Sequence, residues 1–129
     1  VLKSIYQLIW RRQKKMNALA SKFRYYRPFT NIFEEAEAAK GVVSFAAQFG
    51  EGWLLPSDII SMVNQGVNNV ASLQPFGCIA NHIVSKGIEK KLKEKFPQLN
   101  LVSLDFDSGV SAVNVTNRLL LFLDSINES

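Results

Sequence analysis

The stretch VNNVASLQPFGCIANHIVSKGIEKKLKEKFPQLNLVSLDF, residues 67–106, decides the fold. Its ends, Val67 to Leu73 and Asn100 to Phe106, are short apolar runs of ordinary strand length. Between them Pro75-Phe76-Gly77-Cys78 reads as a turn. Ile79 to Phe96 reads as one amphipathic helix, with Ile79, Ile83, Ile88 and Leu92 on its apolar face. Lys90, Lys91, Lys93 and Lys95 gather at its carboxyl end, where cations are favoured, and Pro97 stops it. Strands joined by so long a helix cannot form a hairpin; they pair in parallel through a right-handed crossover. The sequence therefore predicts a βαβ unit and the α/β class.

Working outward, Asp107-Ser108-Gly109 turns the chain into a last helix, Val110 to Ile126, built around Val113, Leu119, Leu120, Phe122 and Leu123. Asp107 or Ser108 suits its N-cap. Upstream, Pro56 suits the first turn of a helix whose apolar face is Ile59, Ile60, Met62 and Val63, with Gly66 as its C-terminal cap. Gly50-Glu51-Gly52 breaks the chain, and Gly41 to Phe49 fits a helix or a strand equally well. Asn31 suits an N-cap, with Glu34 three residues on. Leu2 to about Tyr26 has no Pro or Gly. It spaces Leu2, Ile5, Tyr6, Ile9, Trp10, Met16, Leu19, Ala20 and Phe23 for a helix that Arg27-Pro28 would end. The expected architecture is a small parallel sheet with a βαβ unit flanked by helices and preceded by a basic amphipathic helix. Residues 1–40 form the helical arm and 41–129 the α/β domain. So small a sheet, and Val rather than Met at position 1, point to a fragment of a larger multidomain protein.

The charge is divided along the chain. Residues 1–33 carry eight bases (Lys3, Arg11, Arg12, Lys14, Lys15, Lys22, Arg24 and Arg27) and no acid. The remainder has seven bases against all eleven acids, so a basic arm precedes an acidic body and the total is +4. Aromatics interleaved with bases suit nucleic acid, and a basic amphipathic helix suits a membrane surface. The stripe is nevertheless large enough to be an exposed patch unless protein covers it. Another domain is therefore its expected partner, rather than nucleic acid or membrane. No run of 18 apolar residues and no signal peptide are present, and an unpaired cysteine suits the cytoplasm.

One Cys and one His exclude a zinc or iron–sulfur site built from this chain's ligands alone. No G-x-G-x-x-G, P-loop or G-x-S-x-G pattern occurs. Ligands of open parallel sheets bind beyond the carboxyl ends of the strands. That rule selects the loops Gln74 to His82 and Asp105 to Gly109. The lone Cys78 and lone His82 share the first of them, four residues apart. A cysteine just ahead of a helix suits metal ligation, since the amides of the first turn favour the thiolate. The competing reading is a small hydrophobe that simply packs. A satisfied helix-surface histidine is the commoner outcome for His82, and Lys86 reads as a solvated residue.

Val67-Asn68-Asn69-Val70, Gln74-Pro75-Phe76-Gly77-Cys78, Asn81-His82 and Lys86-Gly87 resemble the C-terminal region of large acyl-CoA dehydratase activase-related proteins. Asp105-Phe106-Asp107-Ser108-Gly109-Val110-Ser111, Asn114 and Asn117-Arg118 are similar to that family's D-x-D-x-G-x-S…N-x-x-N-R stretch, and Gly50-Glu51-Gly52-Trp53-Leu54-Leu55 to its G-E-x-W-L-L. The series spans about Gly41 to Leu123; Ser85 and Ser108 depart from it, where Gly and Pro are usual. The resemblance implies relatives among 2-hydroxyacyl-CoA dehydratase and benzoyl-CoA reductase subunits. In these, cysteines from different domains hold a [4Fe–4S] cluster, and an ATP-hydrolysing activator donates one electron for radical chemistry on an acyl-CoA. It implies that Cys78 is a cluster ligand, that the Gly77 and Cys78 amides approach cluster sulfur, and that His82 stands just behind. The remaining ligands and the ATPase would lie in other domains of the same long chain. A non-catalytic interaction or scaffold domain with a packed Cys78 is the alternative.

Overall fold

The structure is a computed structural model that describes residues 2–106, 109 and 111–127. In chain order the elements are α1 (Leu2–Ala20), α2 (Ile32–Ala39), α3 (Leu54–Asn64), β1 (Asn69–Pro75), a π-helical segment (Ala80–Ser85), α4 (Glu89–Lys95), β2 (Asn100–Phe106) and α5 (Ala112–Asn127). β1 and β2 pair in parallel, in register from Asn69 opposite Asn100 to Pro75 opposite Phe106. The molecule is therefore α/β, with a two-stranded parallel sheet flanked by helices and a helix at the amino end, as the pattern of residues 67–106 predicts.

β1 begins two residues later than its apolar run suggests. Val67 is still tied to the end of α3, its amide donating to Met62 O at 2.9 Å, and Gly66 turns the chain there at φ +83°. At the other end Pro75 remains in the strand. Asn68 O accepts from Asn100 N, and Phe76 N donates to Phe106 O at 3.0 Å, so the even positions of β1 face β2. Pro75 thus turns its nitrogen to the open edge, where a missing donor costs nothing.

The core lies on the sheet face that carries Val70 and Leu101. Val42, Ile59, Ile60, Val63, Leu92 and Leu99 join these two, with Ala38, Val67, Ile88 and Phe96 packed around them. Ile60 and Leu92 are fully buried, and each such side chain contributes about 1.5–3 kcal/mol relative to exposure. α2 packs on α3. Asn31 caps α2, its side chain accepting from Phe33 N at 2.9 Å. The G-E-x-W-L-L stretch has a packing role: a Cβ at Gly52 would stand 1.9 Å from Ala47 O, and Trp53 sets its ring edge-on to Phe45 at 5.2 Å.

Three helices depart from their expected form. α1 stops at Ala20, because Asn17 draws the following chain back across it. Asn17 Oδ1 accepts from the Tyr26 hydroxyl and from Phe29 N (3.1 Å), and its Nδ2 donates to Phe29 O. The single helix expected over Ile79 to Phe96 is instead a π segment that runs on helically through Gly87, an interruption at Ile88, and α4. The wider π winding rotates its inward face to Ala80, Asn81, Val84 and Ser85, all buried, and leaves Ile79 and Ile83 exposed. α5 packs against β2, where Asn100 Nδ2 donates to Ser125 Oγ at 2.8 Å, yet none of its residues is buried. The expected cap at Asp107 or Ser108 lies outside the described residues.

Candidate functional site

The carboxyl ends of both strands and the start of the π segment meet at one edge. Gly77 takes φ +77°, the left-handed conformation that an L side chain resists, and so sharpens the turn out of β1. The turn closes when Cys78 N donates to Pro75 O at 3.2 Å. Cys78 is thereby held at the lip of the sheet, half-buried and in the free thiol form. Because its amide is committed to Pro75, Gly77 is left as the amide of the pair with no acceptor among the described residues.

His82 locks this turn to the neighbouring strand. Its amide donates to Cys78 O at 2.9 Å, and its Nδ1 lies 3.2 Å from the same oxygen. Its Nε2 is 3.3 Å from Asp105 Oδ1 on β2. A carbonyl and a carboxylate only accept, so each contact requires the proton on the ring nitrogen that faces it. Phe76 covers the ring edge-on at 6.0 Å. His82 is therefore a histidine with both ring nitrogens partnered at the helix surface, set between the cysteine turn and Asp105.

Asp105, which opens the second loop that the strand-end rule selects without assigning it a role, is the hub of the site. Lys86 Nζ stands 3.0 Å from both of its oxygens, and Arg118 Nη1 of α5 reaches Oδ2 at 3.9 Å. Lys86, expected to be solvated, is thus an ion-pair partner. The signal was the spacing His82–Lys86, one helical turn, combined with the parallel register that sets Gln74 beside Asp105. Gln74 is completely buried; its Nε2 donates to Ser72 Oγ at 3.4 Å, while Oε1 has no partner among the described residues. The strand ends thus carry one carboxylate, three cationic or ionisable donors and a buried amide around a thiol-bearing turn.

The structure brings Gly77, Cys78 and His82 together as the loop reading requires. Among the described residues no group of three or more His, Cys, Asp or Glu stands in position to hold a metal ion. What this edge offers a metal centre is one thiolate from Cys78 and one amide from Gly77. No helix among the described residues is long and apolar enough to cross a membrane. In comparisons with known proteins, the chain matches no family model, no curated protein and no solved structure.

Proposed function

We propose that the chain is the C-terminal α/β domain of a cytoplasmic activase-related protein of the 2-hydroxyacyl-CoA dehydratase type, and that Cys78 donates one ligand to a [4Fe–4S] cluster completed by other domains. The observation that carries this reading is the position of Cys78. It sits half-buried on a left-handed Gly77 turn, at the carboxyl edge of a parallel sheet, where such folds place ligands. A cysteine present only for packing belongs among the most buried residues, and this one is not. The ordered resemblance from Gly50 to Arg118 supplies the chemical class.

The residues present suit one corner of such a cluster. Cys78 would supply the thiolate, and the Gly77 amide a hydrogen bond to sulfur, which tunes a cluster's potential. When bound, the cluster supplies one electron at a time, the requirement for radical dehydration or reduction of an acyl-CoA. The work of this chain is positional. His82 holds the Cys78 carbonyl, Asp105 holds His82, and Lys86 and Arg118 hold Asp105. That chain of contacts fixes the thiol relative to the sheet, so that ligands from elsewhere meet it in one geometry.

Iron and sulfide analysis of the anaerobically isolated full-length protein, this chain together with the domains that complete the ligand set, tests this reading. This chain by itself is expected to hold no cluster stably. Wild type is expected to carry a cluster, and Cys78→Ala to lose most of its iron while keeping its circular dichroism spectrum. Equal iron in both proteins would remove Cys78 from the ligand set.

A further inference from the structure

α1 meets the rest of the chain along a different stripe from its aliphatic one. Its half-buried positions are Tyr6, Trp10, Gln13, Asn17 and Ala20, alternately four and three residues apart. Tyr6 sets its ring against Phe33 at 5.2 Å, and Asn17 binds the Phe29 backbone. Ile5, Ile9, Met16 and Leu19 lie on the neighbouring face of the helix, each more than half exposed. Arg12 stands in the middle of that face, three or four residues from Ile9 and Met16 and seven from Ile5 and Leu19. None of the eight bases of residues 1–33 pairs with a carboxylate among the described residues. The chain exposes 9011 Å² in all, against about 6,900 Å² for a compact monomer of its mass. The difference exceeds the roughly 800 Å² that each partner buries in a standard protein interface.

The charge pattern selects what covers this face. In an arm-to-arm pairing of two copies, eight bases meet eight bases with no acid between them, and the two repel. Nucleic acid takes up bases and rings but leaves the aliphatic stripe in water, and the Trp10 ring already carries Lys14 at 5.4 Å. A lipid surface takes up the stripe but draws the Arg12 guanidinium to the acyl boundary without a fixed carboxylate to meet it. A helix with leucine-like side chains flanked by carboxylates satisfies both features at once. Its apolar side chains fill the gaps between Ile5, Ile9, Met16 and Leu19, and a carboxylate takes Arg12 in a bidentate pair. We infer that α1 is a docking strip for an acidic amphipathic helix of a protein partner.

The test uses fluorescence anisotropy with a labelled, helix-forming peptide that has leucine at heptad core positions and glutamate beside them. A leucine/lysine counterpart and phosphatidylcholine–phosphatidylserine vesicles serve as competitors for the alternatives. The chain is expected to bind the leucine/glutamate peptide in a salt-sensitive manner and to ignore the other two. Arg12→Glu and Ile9→Ser, with unchanged circular dichroism, are each expected to weaken binding by about tenfold or more, the scale of central interface residues. Four outcomes overturn the inference: no binding of the acidic peptide, full affinity in Arg12→Glu, co-sedimentation with the vesicles instead, or a concentration-dependent dimer in analytical ultracentrifugation.

Discussion

At the residue scale the site depends on Asp105, a carboxylate that accepts from Lys86 and has His82 and Arg118 at ion-pair distance. Asp105→Asn keeps the size and removes the charge, so Lys86 and Arg118 lose their partner and the turn opens more often. A loss of about 1 kcal/mol, the upper end for partly exposed pairs, is roughly fivefold in local opening. Labelling of Cys78 by a disulfide reagent in the native chain is expected to accelerate by that factor; an unchanged rate would show that Asp105 does not hold the turn. A second carboxylate acts on stability. Burial, and then the negative charge of Asp58, push Glu35 above its ordinary value of 4.5, while the Ser61 and Ser57 hydroxyls pull the other way. Folded Glu35 thus keeps its proton to higher pH than the unfolded chain, so the folded state binds more protons between the two values and stability falls as pH rises through them. Glu35→Gln removes that loss while still accepting from the Thr30 hydroxyl. Urea midpoints are expected to favour the variant at neutral pH, with the gap closing as pH falls toward 4.5; a constant gap would contradict the assignment.

At the element scale the crossover is the informative case. β2 was legible residue for residue, because Leu101, Val102, Leu104 and Phe106 stand between clear turn signals. The helix before it was legible in existence but not in phase. Ile79, Ile83, Ile88 and Leu92 fit an α-helical stripe, whereas the close approach of Ala80 to Gly50 and the seating of Asn81 and Ser85 favour the wider π winding. No hydrophobic period announces such a winding, since small and polar residues carry it; π segments often lie at functional sites. Stability measurements distinguish the two phases. Val84→Ala is expected to cost about 1–3 kcal/mol, and Ile83→Ser to stay within about 0.5 kcal/mol; the reverse order would contradict the inward face assigned to this segment. The thiol-bearing loop was equally legible, from the rule for parallel strand ends and the lone Cys78. The same rule selects the Asp105 loop, but the role of Asp105 as a hub was not legible, because Arg118 comes from α5, whose placement against β2 no local pattern encodes.

At the scale of the whole molecule, a basic arm with an uncovered aliphatic face precedes an α/β body whose sheet has only two strands among the described residues. α5 adds to the uncovered surface, with Val113, Leu120, Leu121 and Leu123 more than half exposed. Both features fit a domain whose surfaces are finished by others, and the same holds for its one thiol. Stability resides in the cluster around Ile60 and Leu92, whereas the proposed ligand role belongs to the sheet edge that carries Cys78. The most direct test is alkylation of Cys78 in the anaerobically isolated full-length protein that contains this chain, read by mass spectrometry before and after the iron is stripped with an oxidant and a chelator. Protection before stripping and rapid modification afterwards are the expected result. Equal modification in both states would contradict the claim that Cys78 is a cluster ligand.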